Sequence, residues 1–210
     1  MISRLKFLRV WWFVATAALS IASASGEVPL RVAGVFSDRA VLQQGVPVPV
    51  WGWAQPGQEV RVNFGGQDKA AVGNEKGEWM LRLGPMEASG DGRKLTVPAG
   101  EEVQVFRDVV VGEVWLASGQ SNMQFSLDAC ARRLAEVKAA VDDPEECGIR
   151  MLRIGSGDQE GAVEDIDRQR NHWRVDGPDV RGGQSAVAFF FAQRLWEELK
   201  VPIGIIETSW

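Results

Sequence analysis

The hydrophobic period of this chain changes once, near Val110, and that change limits the folds open to it. Before it, apolar residues come in short runs, at 30–36, 46–53, 59–64, 77–83, 93–97 and 103–110, broken by Gly, Pro and Asn. Val60, Val62 and Phe64 alternate with Arg61 and Asn63, which is the period of a strand with one buried face. Gln55-Pro56-Gly57 and Gly65-Gly66 supply turn signals between runs. Several short strands at this spacing predict a β-sandwich over residues 27–110.

After Val110 strands alternate with helices. Residues 109–116 form a near-continuous apolar run, interrupted by Gly112-Glu113, that suits a strand buried on both faces of a parallel sheet. A helix is predicted over 129–141, with Leu134, Val137 and Val141 at helical spacing and Asp142-Asp143-Pro144 ending it. A strand at 149–154, a helix at 185–200 and a strand at 203–207 complete a doubly wound α/β/α series over residues 111–210. The series stops at Trp210, so the expectation is an incomplete α/β domain whose absent strands cover the edge left by residues 203–207.

Arg4, Lys6 and Arg9 precede an apolar run at 10–22, and Ala22-Ser23-Ala24 follows with small residues at cleavage spacing. Residues 1–24 therefore read as a signal peptide, and the protein as secreted or periplasmic. The apolar run is shorter than the roughly 20 residues of a spanning helix, so no stable membrane anchor is expected. With 45% hydrophobic and 24% charged residues, the composition is that of a folded protein. A net charge of -5, without a basic cluster interleaved with aromatics, argues against nucleic acid as a partner.

Cys130 and Cys147 are the two cysteines, and in an exported protein they either form one disulfide or remain separate thiols. With His172 as the sole imidazole, no metal site is expected. His172 reads as an ordinary loop residue rather than a substitute base. The acidic run Asp142, Asp143, Glu145 and Glu146 reads as a solvated loop, with weak calcium binding as the sharper alternative. Trp51 and Trp53 share one strand, where core packing is favoured over stacking on sugar rings.

The chemistry concentrates after the apolar run, at Ala117-Ser118-Gly119-Gln120-Ser121-Asn122-Met123. A turn of small residues at the C-terminal end of a central strand is where α/β folds expose reactive groups. A helix starting near Asn122 would bring its N–H groups and positive end beside Ser121. The plainer alternative makes Ser121 a helix N-cap.

The segment Gly112-Glu113-Val114-Trp115-Leu116-Ala117-Ser118-Gly119-Gln120-Ser121-Asn122-Met123 resembles the nucleophile block of the sialate O-acetylesterase family, a branch of the SGNH hydrolases. Val35-Phe36-Ser37-Asp38, Val41-Leu42-Gln43-Gln44 and Pro47-Val48-Pro49-Val50-Trp51-Gly52-Trp53-Ala54 resemble the family's N-terminal β-sandwich signature. The stretches 185–192 and 201–210 resemble the helix and strand leading to its second block. The resemblance implies a serine esterase removing O-acetyl groups from sialic acid or another acetylated carbohydrate, without metal or organic cofactor. It assigns Ser121 as nucleophile and backbone oxyanion donor, with Gln120 and Asn122 beside the substrate.

The family's following glycine pair, its Gly-Glu-x-Asn block and its Asp-x-x-His are not found in these 210 residues. An unassisted serine hydroxyl is a poor nucleophile near neutral pH, because a base must take its proton. The chain alone is thus expected to be inactive. The competing reading is a non-catalytic carbohydrate-binding or structural β-sandwich module with a degenerate α/β tail.

Overall fold

The computed structural model describes residues 28–143, 145, 147–155 and 164–209. The expected signal peptide lies outside the described residues, as do Pro144, Glu146 and Trp210. The first half carries β1 (Arg31–Val32), β2 (Val41–Gln43), β3 (Val48–Trp53), β4 (Glu59–Phe64), β5 (Gln67–Val72), β6 (Glu78–Leu83), β7 (Ser89–Ala99) and β8 (Glu102–Gly119). Three short helices follow: α1 (Ser121–Gln124), α2 (Leu127–Ala131) and α3 (Ala135–Asp142). The chain then forms β9 (Ile149–Arg153), β10 (Trp173–Val175), α4 (Pro178–Arg181), α5 (Ala186–Leu199) and β11 (Ile203–Ser209).

Alternation decides the first half. Val60, Val62 and Phe64 of β4 are buried while Glu59 and Arg61 are exposed, and β3 and β6 alternate in the same way. Strands β1, β3 and β6 make one antiparallel sheet, and β8, β7, β4 and β5 are neighbours in a second. Val50, Leu81 and Leu83 from the first sheet share one apolar core with Val62, Leu95 and Val97 from the second. Gly65 and Gly66, at φ +58° and +78°, form the two-residue loop between Phe64 and Gln67; a turn with both central residues left-handed matches strand twist and favours glycine.

The run at 30–36 contributes only the two residues of β1 to a ladder. Distant side chains take much of its backbone instead: Glu102 accepts from Leu30 N–H, Asp165 accepts from Gly34 N–H at 2.8 Å, and Arg168 donates to the carbonyls of Val32 and Ala33, while Ala33 N–H donates to the Trp51 carbonyl. Those partners come from distant segments, so hydrophobic pattern did not reveal them. Strands β5 and β10 were also not legible, β5 because none of its six residues is buried and β10 because it has three residues.

Strand β8 links both halves without a break. Its partner is β7 up to Val111 and β11 from Glu113 onward, so position 110 lies inside a strand and marks an exchange of partners. Just before the exchange the ladder slips register near Asp108, whose φ is +55°, and such a bulge bends and twists a strand. Arg150 of β9 holds this bend by donating to the Asp108 and Arg39 carbonyls and to Asp108 Oδ1.

In the second half β9, β11 and β8 run parallel, with β10 antiparallel on the outside. The expected helix 185–200 is α5, capped by Ser185, whose Oγ accepts from Ala188 N–H, and it buries Ala188, Phe189 and Ala192 against Ile203 and Ile205. The helix expected at 129–141 is instead two. Leu127 and Val137 are both buried in the same cluster, one from each piece. The break falls at 132–134, where Leu134 is extended at φ -124° and exposed rather than buried, and Ser126 caps the first piece.

The expectation about the open edge is corrected. Residues 203–207 are paired on both sides, by β8 and by β9, because β11 enters between them. The segment 113–119 of β8 instead has β11 as its sole described strand partner. Beside it, Trp115 is 43% and Leu116 67% exposed, so the edge left unpaired among the described strands falls on the strand that carries Ser121's turn.

Cys130 and Cys147 are not joined. Cys147 Sγ donates to Asp176 Oδ2 at 3.0 Å, and Asp176 also pairs with the buried Arg181, which in turn holds the carbonyls of Ala140, Asp143 and Glu145. Asp142 pairs with Lys138, and Asp143 accepts from Glu145 N–H within a turn. Trp51 packs edge-on against Phe36 with ring centres 5.1 Å apart, while Trp53 lies under Arg31 and donates to Glu164. Among the described residues, no helix is long and apolar enough to cross a membrane.

Candidate active site

The buried run Val109 to Val111 seats β8 in the core, and the strand then emerges at its C-terminal end as exposed Ser118, Gly119 and Gln120. Gly119 has φ +150°, a backbone region that other residues rarely adopt, and nothing nearer than the Cβ of Met123 at 3.5 Å would meet an added Cβ. Conformation rather than space therefore selects glycine here. Gln120 is extended and precedes the first helical residue, Ser121, and the Met123 N–H closes the turn on the Gln120 carbonyl at 2.7 Å.

This turn is anchored from below and open above. Met123 packs into the helix-side core, and its Sδ accepts from Ser185 Oγ at 3.3 Å. The Ala186 N–H donates to the Phe125 carbonyl, and Ser126 bridges to Ser185. Gln120, Ser121 and Asn122 are all exposed, and none of their side chains hydrogen-bonds to another described residue. Gln120 occupies the N-cap position, so Ser121 is not the cap that its plainer reading required. Because α1 has only four residues, its dipole is weak, and any oxyanion stabilisation here rests on individual N–H groups.

Beside the turn, Ser209 of β11 stands opposite Gly119, and Thr208 opposite Ser118. Two residues below, the fully buried Glu207 accepts from Ser209 Oγ at 3.2 Å and faces Arg153 Nε at 3.4 Å. Arg153 also donates to the Gly183 carbonyl. Sequence reasoning missed this pair; its one signal was a carboxylate in the otherwise apolar strand 203–207.

His172 is not brought to Ser121. It immediately precedes β10, which is separated from β8 by β9 and β11, roughly 14 Å of sheet at normal strand spacing. It lines a different cavity with Asp38, Arg39 and Phe106. Among the described residues no group of three His, Cys, Asp or Glu side chains converges as a metal site. The arrangement around Ser121 thus offers a hydroxyl on a rigid, open turn with backbone donors, and no base among the described side chains near it.

No protein-family model matches the chain. It is 28% identical over 207 residues to the sialate O-acetylesterase of Homo sapiens, a match spanning 90% of this chain and 38% of that protein. Against the sialate O-acetylesterase of Mus musculus it is 27% identical, with 90% and 37% covered. A solved structure of a carbohydrate acetylesterase from Xanthomonas citri superposes with a TM-score of 0.78 at 30% identity, over 87% of this chain and 40% of that one. The chain therefore spans about two-fifths of the length of the proteins it matches.

Proposed function

We propose that this chain, similar to sialate O-acetylesterases over 90% of its length, belongs with them and carries the nucleophile of a serine esterase that removes O-acetyl groups from sialic acid or another acetylated sugar. The observation carrying this reading is the exposed, uncommitted Ser121 two residues beyond the positive-φ Gly119, at the C-terminal end of a parallel strand. Gln120 and Asn122 flank it at the surface and are read as substrate contacts.

In the proposed reaction Ser121 Oγ attacks the acetyl carbonyl as a base takes its proton, and the Ser121 N–H stabilises the oxyanion. Collapse breaks the ester bond, and the sugar oxygen leaves with the proton held by the base. Water, deprotonated by the same base, then attacks the acetyl-serine and releases acetate, regenerating the hydroxyl. The base belongs to the family's Asp-x-x-His block, which these 210 residues do not contain.

In the same reading, the facing sheets of residues 27–110 form a β-sandwich, and 111–210 form part of an SGNH-like α/β domain. Further strands add to the free edge of β8 at 113–119, which brings later blocks beside Ser121. Export through residues 1–24 places the enzyme outside the cytoplasm, where acetylated glycans are encountered.

The test is acetate release from an O-acetylated sialic acid by a chain extended through the family's later blocks. Turnover that disappears in the Ser121→Ala variant supports the reading; turnover that survives it removes Ser121 from the mechanism.

A further inference from the structure

Away from the Ser121 turn, a cavity of about 410 Å³ opens where the first sheet pair meets the segment before β10. Its volume lies within the roughly 300–1,000 Å³ of small-molecule sites. Val105 and Phe106 form an apolar wall, and Asp38, Arg39, Arg168 and His172 bring charge and hydrogen-bonding capacity. Phe106 lies before the bend of β8 and Ser121 beyond the far end of that strand, so the cavity is separate from the esterase turn.

Its polar groups are unevenly committed. Arg168 stacks over Phe106 at 4.8 Å and gives its Nη atoms to Gln104 Oε1 and to the Val32 and Ala33 carbonyls, but its Nε is buried with no partner among the described residues. The Arg39 guanidinium and the His172 ring make no hydrogen bond or ion pair with a described side chain, although Arg39 is held in a fixed left-handed backbone, φ +67°, by its N–H to the Arg107 carbonyl. Asp38 spends Oδ1 on Arg107 N–H and keeps Oδ2. Two uncommitted side chains, Arg39 and His172, therefore line the cavity beside one half-engaged carboxylate.

We propose that this cavity is a second saccharide site that takes a sugar acid, independent of whether Ser121 is a nucleophile. The carboxylate meets Arg39 and His172, a ring hydroxyl meets Asp38 Oδ2, and the C–H face of the pyranose lies on Val105. Inorganic phosphate fits worse, because it leaves most of the 410 Å³ and the whole apolar wall unfilled.

The experiment is calorimetric titration of the 210-residue chain with N-acetylneuraminate and with glucuronate, beside the methyl ester of each, free glucose and inorganic phosphate. The acids are expected to bind at least about 10-fold more tightly than their esters, the scale of one lost charge-assisted hydrogen bond. Arg39→Asn keeps a residue that tolerates positive φ and removes the charge; Val105→Trp fills the cavity. Each is expected to weaken acid binding about 10-fold or more with an unchanged circular dichroism spectrum, while Ser121→Ala leaves this binding unaltered. Absence of acid binding, equal binding of acid and ester, phosphate binding as tightly as the acids, or loss of binding in Ser121→Ala would each overturn the proposal.

Discussion

Ser209 stands directly opposite Gly119 on the last rung of the β11–β8 ladder. The Ser121 hydroxyl consequently lies just past the point where two parallel strands end together. Loss of Ser121 in the extended chain is expected to lower acetate release on the order of 10⁴ to 10⁶-fold, the scale seen when a triad member is removed from a serine hydrolase. The 210-residue chain itself should give negligible turnover. Rates of the short chain, the extended chain and their Ser121→Ala variants decide this, and Ser121-dependent turnover by the short chain near the extended rate would contradict it.

Gly119→Ala tests the backbone that aims Ser121. With φ +150° and no steric obstacle nearer than 3.5 Å, the cost of a methyl group is conformational, about 1–3 kcal/mol. A lowered urea midpoint with an unchanged m-value is expected. An alanine variant as stable as the parent would show that the turn relaxes freely.

Arg181 and Asp176 are both buried and joined at 2.6 Å, and Arg181 closes three carbonyls at the end of α3. Removing one partner strands the other charge, so Arg181→Met should cost about 3–5 kcal/mol. The double variant with Asp176→Leu should recover part of that loss. Denaturant unfolding of the two single variants and the double variant measures the coupling, and strictly additive losses would rule out the pair as a unit.

Burial, followed by the Asp176 carboxylate, pushes the Cys147 thiol up to about 12 from its ordinary value of 9.0. A raised folded-state pKa means that the folded chain holds the proton more tightly, so this contribution is intact below pH 9.0 and lost as pH rises toward 12. Thiol-reactive probes at pH 8 should therefore modify half-buried Cys130 in the folded chain and reach Cys147 only after unfolding. Equal labelling rates would refute the assignment.

The free edge of β8 should make the 210-residue chain self-associate. Leu116, 67% exposed beside that edge, is replaced in Leu116→Lys by a charge of the kind that blunts open strands. Sedimentation velocity is expected to show less association in the variant; no difference would place the sticky surface elsewhere.

Much of this molecule was written in local pattern. The alternation of Val60, Val62 and Phe64, the Gly65-Gly66 turn and the cap at Ser185 each depend on neighbours within a few residues, and β4 and α5 formed where those patterns stood. The turn at Gly119 to Ser121 was legible for the same reason, since a strand end, a glycine and a polar break adjoin in sequence. Long-range partners decided the rest. Arg168 took carbonyls that a longer first strand would have used, the expected helix broke at the extended Leu134, and β11 entered between β8 and β9. That insertion moved the open edge from residues 203–207 to the strand of the candidate nucleophile. Strand order is a property of which surfaces meet across the whole chain, and hydrophobic period along a segment carries no information about its neighbours.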